Sequence, residues 1–530
     1  MNTISSYWKA QDSKRWATLD RARTCSSLTK PWVLPPEGFN LDGNDRLDEP
    51  FSSLASRGIS NLEGRLLLAL YPPGRPFFSL RVSQAVAGDP DIAPEQLQQF
   101  EQVLFMQELA IQAALEASYV GDKAQNRRRT GFRSQKRAAI SQLLVTGDVL
   151  EQLTDDYRIK VFRRDQYITK RDSSGDVLCH IVKEVMDPLG LSPEQLEMCN
   201  MNQLDLVAKP ATDRLEDMYT QCEWNPMSKT WVIQQECNGH IILESEDPVS
   251  PFMATTYELA PGESYGRGLV ELNLGDIRSV NELTQSLLDF SATASKQLFA
   301  LDMNSQVMPE DLAKPSGSVI QARVQGGQVS DVGMIRADKM NDFQVTAGTR
   351  DSIRKDLATV MLMEAEATPR GERVTAFQVQ RVASELEGAL GGIFSQISDQ
   401  QQVPLIERLM FQMKRDRKMP ALPDETVQIE TLTGVSALSR EAEGGRLLQV
   451  LQIMSGMGPE AMSKVNQDVL IDLLMRQAGV FEPGLLKSPE QIAAEKQQQM
   501  EMMMAQQAGA KAVDVVGNAE QARMEAEVQE

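Results

Sequence analysis

Residues 262–403 constrain the fold more than any other stretch of this sequence. They read as a Gly-rich turn (Gly262-Glu263-Ser264-Tyr265-Gly266-Arg267-Gly268), a helix, a β-like insert, a second helix, a charged loop and one long interrupted helix. In the first helix Ile277, Val280, Leu283 and Leu287 recur at three- and four-residue steps, while Asp276, Arg278, Glu282 and Asp289 take other faces. Continuous from Gly268 to Lys296, it would be roughly 40 Å long at about 1.5 Å per residue. The insert, Leu298 to Arg336, places Pro309, Pro315-Ser316-Gly317 and Gly326-Gly327 between Val/Ile-rich pieces, which predicts short strands. The second helix, Asp342 to Met363, carries Ile353, Leu357, Val360 and Met361. Two long helices around a β insert suit a subunit that lines a channel, not one that wraps a substrate pocket.

The loop that follows (Thr368-Pro369-Arg370-Gly371-Glu372-Arg373-Val374) ends at a capping box, Thr375 with Gln378. From there Val379, Val382, Leu386, Leu390, Ile393 and Ile397 form an apolar stripe, which Gly388, Gly391, Gly392 and Pro404 should bend.

The rest of the chain predicts helices at Trp8–Leu28, from Leu54 through Leu70 up to Tyr71-Pro72-Pro73-Gly74, at Pro94–Tyr119 and at Arg127–Leu144. Phe77–Val82 reads as a strand. From Val149 to Thr256 the period is that of strands, with hairpins turning at Ser173-Ser174-Gly175 and at Asn225-Pro226-Met227-Ser228. Thr426–Leu432 is one more strand. Helices follow at Leu447–Met454 and Val465–Ala478, and from Ser488 the chain turns Gln-, Met- and Ala-rich. The fold class is α+β, mainly helical.

Composition excludes several functions. At 530 residues the chain suffices for roughly three or four compact units. No apolar run approaches the roughly 20 residues of a membrane span, and the N-terminus lacks the apolar stretch of a signal peptide. Cys25, Cys179, Cys199, Cys222 and Cys237 are odd in number and form no CxxC pair, which suits a reducing compartment. With only His180 and His240 besides, a zinc site lacks clustered ligands, and no metal or other cofactor is expected. The net charge of −20 is opposite to that of a protein that grips DNA. It fits either no contact with nucleic acid or contact in which adhesion would be a defect.

There is no P-loop, no HExxH and no GxGxxG. Gly262-Glu263-Ser264-Tyr265-Gly266 satisfies the GxSxG nucleophile elbow, but both histidines precede Ser264, the reverse of that motif's order. A serine hydrolase on Ser264 is therefore the minor reading. Gly262, Gly266 and Gly268 better serve a tight lead into the first long helix. Arg350 and Arg354 share a helix face with Lys355 adjacent, placed to meet a phosphate, a neighbouring subunit's carboxylate or only solvent. The basic run Arg127-Arg128-Arg129 with Arg133, Lys136 and Arg137 reads as a solvated helix start.

Two stretches, Gly262–Leu288 (GESYGRGLVELNLGDIRSVNELTQSLL) and Gly371–Leu409 (GERVTAFQVQRVASELEGALGGIFSQISDQQQVPLIERL), resemble the portal, or head-to-tail connector, proteins of short-tailed bacteriophages. Arg57–Leu62 (RGISNL) and Leu143–Leu150 (LLVTGDVL) resemble family segments in the same order. The resemblance implies a ring of probably twelve subunits around a central channel, set at one capsid vertex of the virion and made in the host cytoplasm. It implies a structural protein without catalysis, serving genome packaging by the terminase motor, tail attachment and genome ejection. Its partners would be double-stranded DNA passing without sequence specificity, the terminase, a tail adaptor, the major capsid and scaffolding proteins and internal core proteins, with no membrane.

On this sequence the resemblance implies a wing at 1–267, with a helical part and then a β-rich part. Stem helices would lie at 268–296 and 342–363, a clip at 297–341 and a channel loop at 364–374. The long kinked wing helix and strand would take 375–437 and a crown 438–487, leaving a tail at 488–530 as barrel helix or disordered chain. Ile277, Val280 and Leu287 would pack the stem. Glu364, Glu366, Arg370, Glu372 and Arg373 would face the channel, with Arg350, Arg354 and Lys355 as channel or inter-subunit cations. An acidic lumen would repel phosphates and let DNA slide, while a few basic groups could still steer it, because their screened attraction acts only over about one Debye length, roughly 8–10 Å. Rings with a central hole in negative stain, against small monomers, separate the channel from the hydrolase.

Overall fold

Each element forms where local chemistry and apolar period agree. The structure, a computed structural model, describes residues 3–363, 388, 392–418 and 427–431. Interruptions fall at 40–44, 73–75, 84–93, 118–130, 211–212, 295–297, 302, 304–306, 316, 320, 326–327, 330–331 and 336–339. All described residues belong to one compact unit, Met1–Gly445. Helix α1 (Ile4–Asp12) starts where the Thr3 side chain accepts from Ser6 N, and it buries Ile4 and Trp8, one turn apart. α2 (Trp16–Ser27) follows a short 3₁₀ turn. α3 (Leu54–Leu70) buries Ile59, Leu62, Leu66 and Leu70 and stops at Tyr71, before Pro72. Strand β1 (Phe78–Val82), α4 (Pro94–Ala117) and α5 (Phe132–Thr146) complete the helical part.

Strands β2 (Asp148–Leu153) and β3 (Ile159–Phe162) are followed by a five-stranded antiparallel meander: β4 (Tyr167–Arg171), β5 (Val177–Met186), β6 (Glu216–Asn225), β7 (Thr230–Cys237) and β8 (His240–Asp247). Between β5 and β6 lie two six-residue helices, α6 (Pro193–Met198) and α7 (Gln203–Ala208). β9 (Phe252–Thr256) returns beside β2, so β2 lies between β3 and β9. Both anticipated hairpins form. Asp172 Oδ1 accepts from Ser174 N and Asp176 N at the first, and Asn225 Oδ1 accepts from Met227 N at the second.

The pleat gives this sheet two apolar faces. Tyr167, Val182, Cys222 and Ile233 meet Leu150, Phe162 and Phe252 of the smaller sheet. Ile168, Cys179, Ile181 and Tyr219 meet Ile4 and Trp8 of α1. Glu236 locks α1 in place by accepting from the backbone N–H groups of Ile4 and Ser5.

His180 sits inside this sandwich. Burial, aided by Arg171, lowers its pKa from 6.5 to about 3. Its Nδ1 is 3.1 Å from Thr169 Oγ1. The folded state therefore binds fewer protons than the unfolded one. The stability this supplies is complete above pH 6.5 and is lost as pH falls toward 3. Between pH 6.5 and 5 the loss is about 2 kcal/mol. Unfolding midpoints measured at both pH values should show His180→Gln with a flatter acid limb than the parent; equal limbs would refute the assignment.

Past β9, α8 (Leu269–Leu272) leads to α9 (Leu274–Ala294). Strands β10 (Leu298–Leu301) and β13 (Val332–Ile335) pair antiparallel, as do the two-residue β11 (Val324–Gln325) and β12 (Gln328–Val329). α10 (Met340–Val360) follows. The later long helix is described as α11 (Ile393–Ile397), a π-helical segment Ser398–Gln402 and α12 (Val403–Arg415). β14 (Val427–Thr431) pairs with β1, Phe78 opposite Thr431. One core joins Ile59 and Leu62 of α3, Ile140 and Leu144 of α5, Ile277 and Val280 of α9, and Leu357 of α10 to Leu405 and Leu409 of α12.

Three expectations are corrected. The helix expected from Gly268 to Lys296 is interrupted at Asn273, whose backbone leaves the helical region (φ −110°, ψ 19°) while its backbone N–H and Nδ2 share the Leu269 carbonyl; its last described helical residue is Ala294. The second helix begins at Met340 and ends at Val360 rather than Met363. There Leu362 turns left-handed (φ 51°) and Met363 N donates to Ala358 O, a Schellman-type stop. The irregularity attributed to Pro404 is taken up just before it by the π segment, so proline falls in the first turn of α12, where no intrahelical N–H is required. The crown and tail assignments at 438–530 lie outside the described residues.

Candidate functional site

The helix pair α9–α10 is seated on the body at two points, both set by glycine. At its base, the turn 266–268 crosses the end of α5. Gly147 terminates α5 in the left-handed region (φ 82°), with its N–H on Leu143 O. A Cβ there would lie 2.6 Å from Gly266 O, Arg267 C and Gly268 N. A Cβ on Gly268 would lie 2.7 Å from Leu144 O. Backbone thus touches backbone, which no other residue permits. Gly266 N donates to Asp148 Oδ1 at 2.9 Å, and Asp148 also pairs with buried Arg164. The Arg164 guanidinium lies 3.9 Å from the Tyr265 ring centroid.

The second seat is at the far end of α10. Gly58 of α3 lies against Met361; a Cβ at Gly58 would stand 2.9 Å from the Met361 Cβ and closer still to its sulfur. Asn61 Nδ2 donates to the carbonyls of Met361 and Leu362, at 3.2 and 3.0 Å. α3 therefore caps α10 at the point where the chain leaves for residues 364–374. Away from the body, Phe290 of α9 and Phe343 of α10 bring their ring centroids to 5.2 Å, which makes the pair antiparallel.

A buried polar hub lies among α5, β2, the end of α3 and the π segment. Lys136 of α5 and Glu151 of β2 pair at 2.6 Å with no exposed side-chain surface. Burial lowers the Lys136 pKa, opposed by the Glu151 carboxylate. Burial likewise raises the hydroxyl pKa of Tyr71, whose ring lies 5.1 Å from Lys136 Nζ. Tyr71 donates to Gln401 Oε1 at 2.7 Å, Gln402 donates to Leu70 O at 3.0 Å, and Thr256 N donates to Gln400 Oε1 at 2.9 Å. The π segment thus aims three successive glutamines at the α3 terminus and β9, which the tighter α period would not do.

Of the residues singled out from sequence, Ile277, Val280 and Leu287 are all buried within the single chain. Arg350 bonds to its neighbour Asp351 at 2.8 Å. Arg354 and Lys355 are exposed, and their side chains make no ion pair among the described residues. Glu364, Glu366, Arg370, Glu372 and Arg373 lie outside the described residues, as do Arg127, Arg128 and Arg129. Lys136 is not on a solvated face: it is fully buried. The histidines do not serve Ser264. His180 is bound to Thr169, and His240 Nε2 is 3.1 Å from Asn200 Nδ2.

Sequence reasoning missed Asn61, Glu151 and the glutamines of the π segment. Gly58 and Gly147 stood inside RGISNL and LLVTGDVL, where a helical glycine and a Thr-Gly helix end were visible signals. Among the described residues no group of three metal-ligating side chains converges, and no helix is long and apolar enough to cross a membrane.

Between them, the two anchored helices carry the short antiparallel pairs β10–β13 and β11–β12. The sequence profile of the bacteriophage head to tail connecting protein family matches residues 1–485, and the chain belongs to that family. It is 27% identical over 504 residues to the portal protein of Escherichia phage T7, covering 93% of this chain and 89% of that protein. It is also 27% identical over 486 residues to the portal protein of Enterobacteria phage T3, covering 89% and 85%. The solved neck of an empty gene transfer agent particle covers 83% of this chain and 88% of that one at 12% identity. Its TM-score of 0.35 is too low to define a shared fold.

Proposed function

We infer that this chain is a structural portal subunit, forming a ring-shaped DNA channel at one capsid vertex. The observation that carries this reading is the family match over residues 1–485, with portal proteins aligned along nearly the whole chain. In this reading the ring has twelve subunits. It receives the genome from a terminase motor, binds a tail adaptor, contacts capsid, scaffolding and internal core proteins, and releases DNA at ejection. Residues 268–296 and 342–363, built on α8, α9 and α10, are the stem, 297–341 the clip and 364–374 the channel loop. The body is the wing and 438–487 the crown. Arg354 and Lys355, with Arg370 and Arg373, make brief phosphate contacts in a lumen whose net acidity prevents adhesion. Negative-stain images of the purified chain test it: rings with a central hole are expected, and a population of monomers alone would sink it.

The helix pair itself supports a second copy at its side. Leu287 is turned into the chain, but Leu288 and Val345 are 54% and 69% exposed on α9 and α10. In a ring those apolar side chains face a neighbour, and a charge there costs assembly without costing the fold. Val345→Asp is therefore expected to shift the chain from ring to monomer on a sizing column, with circular dichroism and unfolding midpoint unchanged. Undiminished rings would exclude Val345 from the interface.

A further inference from the structure

All five cysteines are free and buried, but two of them adjoin. Cys199 follows α6 and Cys237 ends β7, and neither has accessible surface beyond a trace. The Cys199 sulfur lies 3.6 Å from the Cys237 carbonyl oxygen, across 38 residues of sequence. Both side chains belong to one buried apolar cluster. The backbone is pinned beside them, since Asn238 Nδ2 donates to Cys199 O at 3.1 Å. Met218 and Ile242 complete the apolar surround. A sulfur this close to its partner's main chain is compatible with the Cα separation of about 4.4–6.8 Å that a disulfide requires.

The remaining cysteines are placed otherwise. Cys25 belongs to α2. Cys179 and Cys222 sit on neighbouring strands but in different apolar clusters on opposite faces of the sheet.

We propose that Cys199 and Cys237 are a redox-active pair that closes to a disulfide when the protein meets a small-molecule disulfide. Besides Met218 and Ile242 of the sheet, the pair is covered by Met186, Leu191 and Met201, and Cys199 itself follows α6, a helix of six residues in the segment that also carries the six-residue α7. Helices of one to two turns open locally at little cost. On opening, the thiolate of Cys199 attacks one sulfur of the external disulfide, forming a mixed disulfide and releasing one thiol. Cys237 then loses its proton and attacks the Cys199 sulfur, expelling the second thiol. Two protein thiols are oxidised and one external disulfide is reduced to two thiols. Burial raises both pKa values, Cys237 to about 12, so thiolate is scarce at neutral pH and closure accelerates as pH rises. The bond would tie the α6–α7 lobe to the end of β7 and restrict the unfolded chain over 38 residues.

The test is oxidation of the full chain with oxidised glutathione, in native buffer at pH 7 and pH 9. The expected result is a mass loss of two hydrogens and a linked peptide pair containing Cys199 and Cys237. Cys25, Cys179 and Cys222 should remain alkylatable, with the reaction faster at pH 9 and the unfolding midpoint raised by several degrees. Cys237→Ser should abolish the linkage and leave at most a glutathione adduct on Cys199; Cys199→Ala should abolish it without that adduct. Five free thiols, after an exposure that oxidises the same chain in urea, would overturn the proposal. So would a linkage through any other cysteine.

Discussion

Gly147→Ala should lower the stability of the folded chain by about 2–5 kcal/mol, out of proportion to a one-carbon change. Two costs combine. An alanine held in the left-handed region costs about 1–2 kcal/mol. Its methyl group would also stand 2.6 Å from three backbone atoms of residues 266–268, and backbone cannot swing aside as a side chain can. Such overpacking typically costs about 1–3 kcal/mol. Gly262 is the internal control. Its φ of 84° is nearly the same, but a Cβ there meets nothing within 4 Å. Gly262→Ala should therefore show only the conformational cost, near 1 kcal/mol. Urea unfolding of both variants measures the difference. Equal losses would show that the close crossing of α5 by the 266–268 turn is not what seats α9. If the reading is right, Gly147→Ala should also yield fewer assembled rings, because the helix pair leaves the body at this crossing.

Much of this architecture was legible because long apolar periods and turn chemistry are strong local signals. Leu54–Leu70 forms as read, since its leucines repeat at helical spacing up to a Tyr-Pro stop. The hairpins at Asp172–Asp176 and Asn225–Thr230 were announced by Asp, Gly, Asn and Pro at the positions such turns require. What escaped was decided by one side chain or by distant partners. The apolar period continues straight across Asn273, so nothing in the pattern marks the interruption there. Ser398–Gln402 is polar, and nothing in its spacing marks a departure from the α period. Its π geometry exists because Tyr71, Leu70 and Thr256, far away in sequence, take up its glutamines.

The candidate site divides the same way. Stem-like helices and their apolar faces are written in spacing, but the seats that orient them are not. Gly58 and Asn61 act on Met361 and Leu362 across 300 residues, and only the folded chain shows that they meet. Lys136 is the sharpest reversal. It lies in a run of basic residues that looks solvated, yet its charge is buried, because Glu151 and two aromatic rings receive it.

That burial makes Lys136 and Glu151 the costliest pair to separate. Lys136→Met should destabilise the chain by about 3–5 kcal/mol, because it leaves the Glu151 carboxylate enclosed without a counter-charge. Removing both charges together, Lys136→Met with Glu151→Leu, should recover most of that loss, since an apolar pair of similar volume owes no desolvation. Glu151→Gln behaves differently and carries a signature in pH. It strands the Lys136 ammonium where burial already lowers its pKa. The folded variant then sheds a proton that the unfolded chain keeps up to about pH 10.4. With more protons bound in the unfolded state, stability rises with pH. Glu151→Gln should therefore gain stability relative to the parent between pH 7 and pH 10, whereas Lys136→Met should not. Urea midpoints for the parent and these three variants across that range test both expectations. A Lys136→Met chain within about 1 kcal/mol of the parent, or a double variant no better than the single one, would mean that the hub tolerates a lone charge. Its position beneath Tyr71 and the π glutamines would then be incidental to how the body supports α9 and α10.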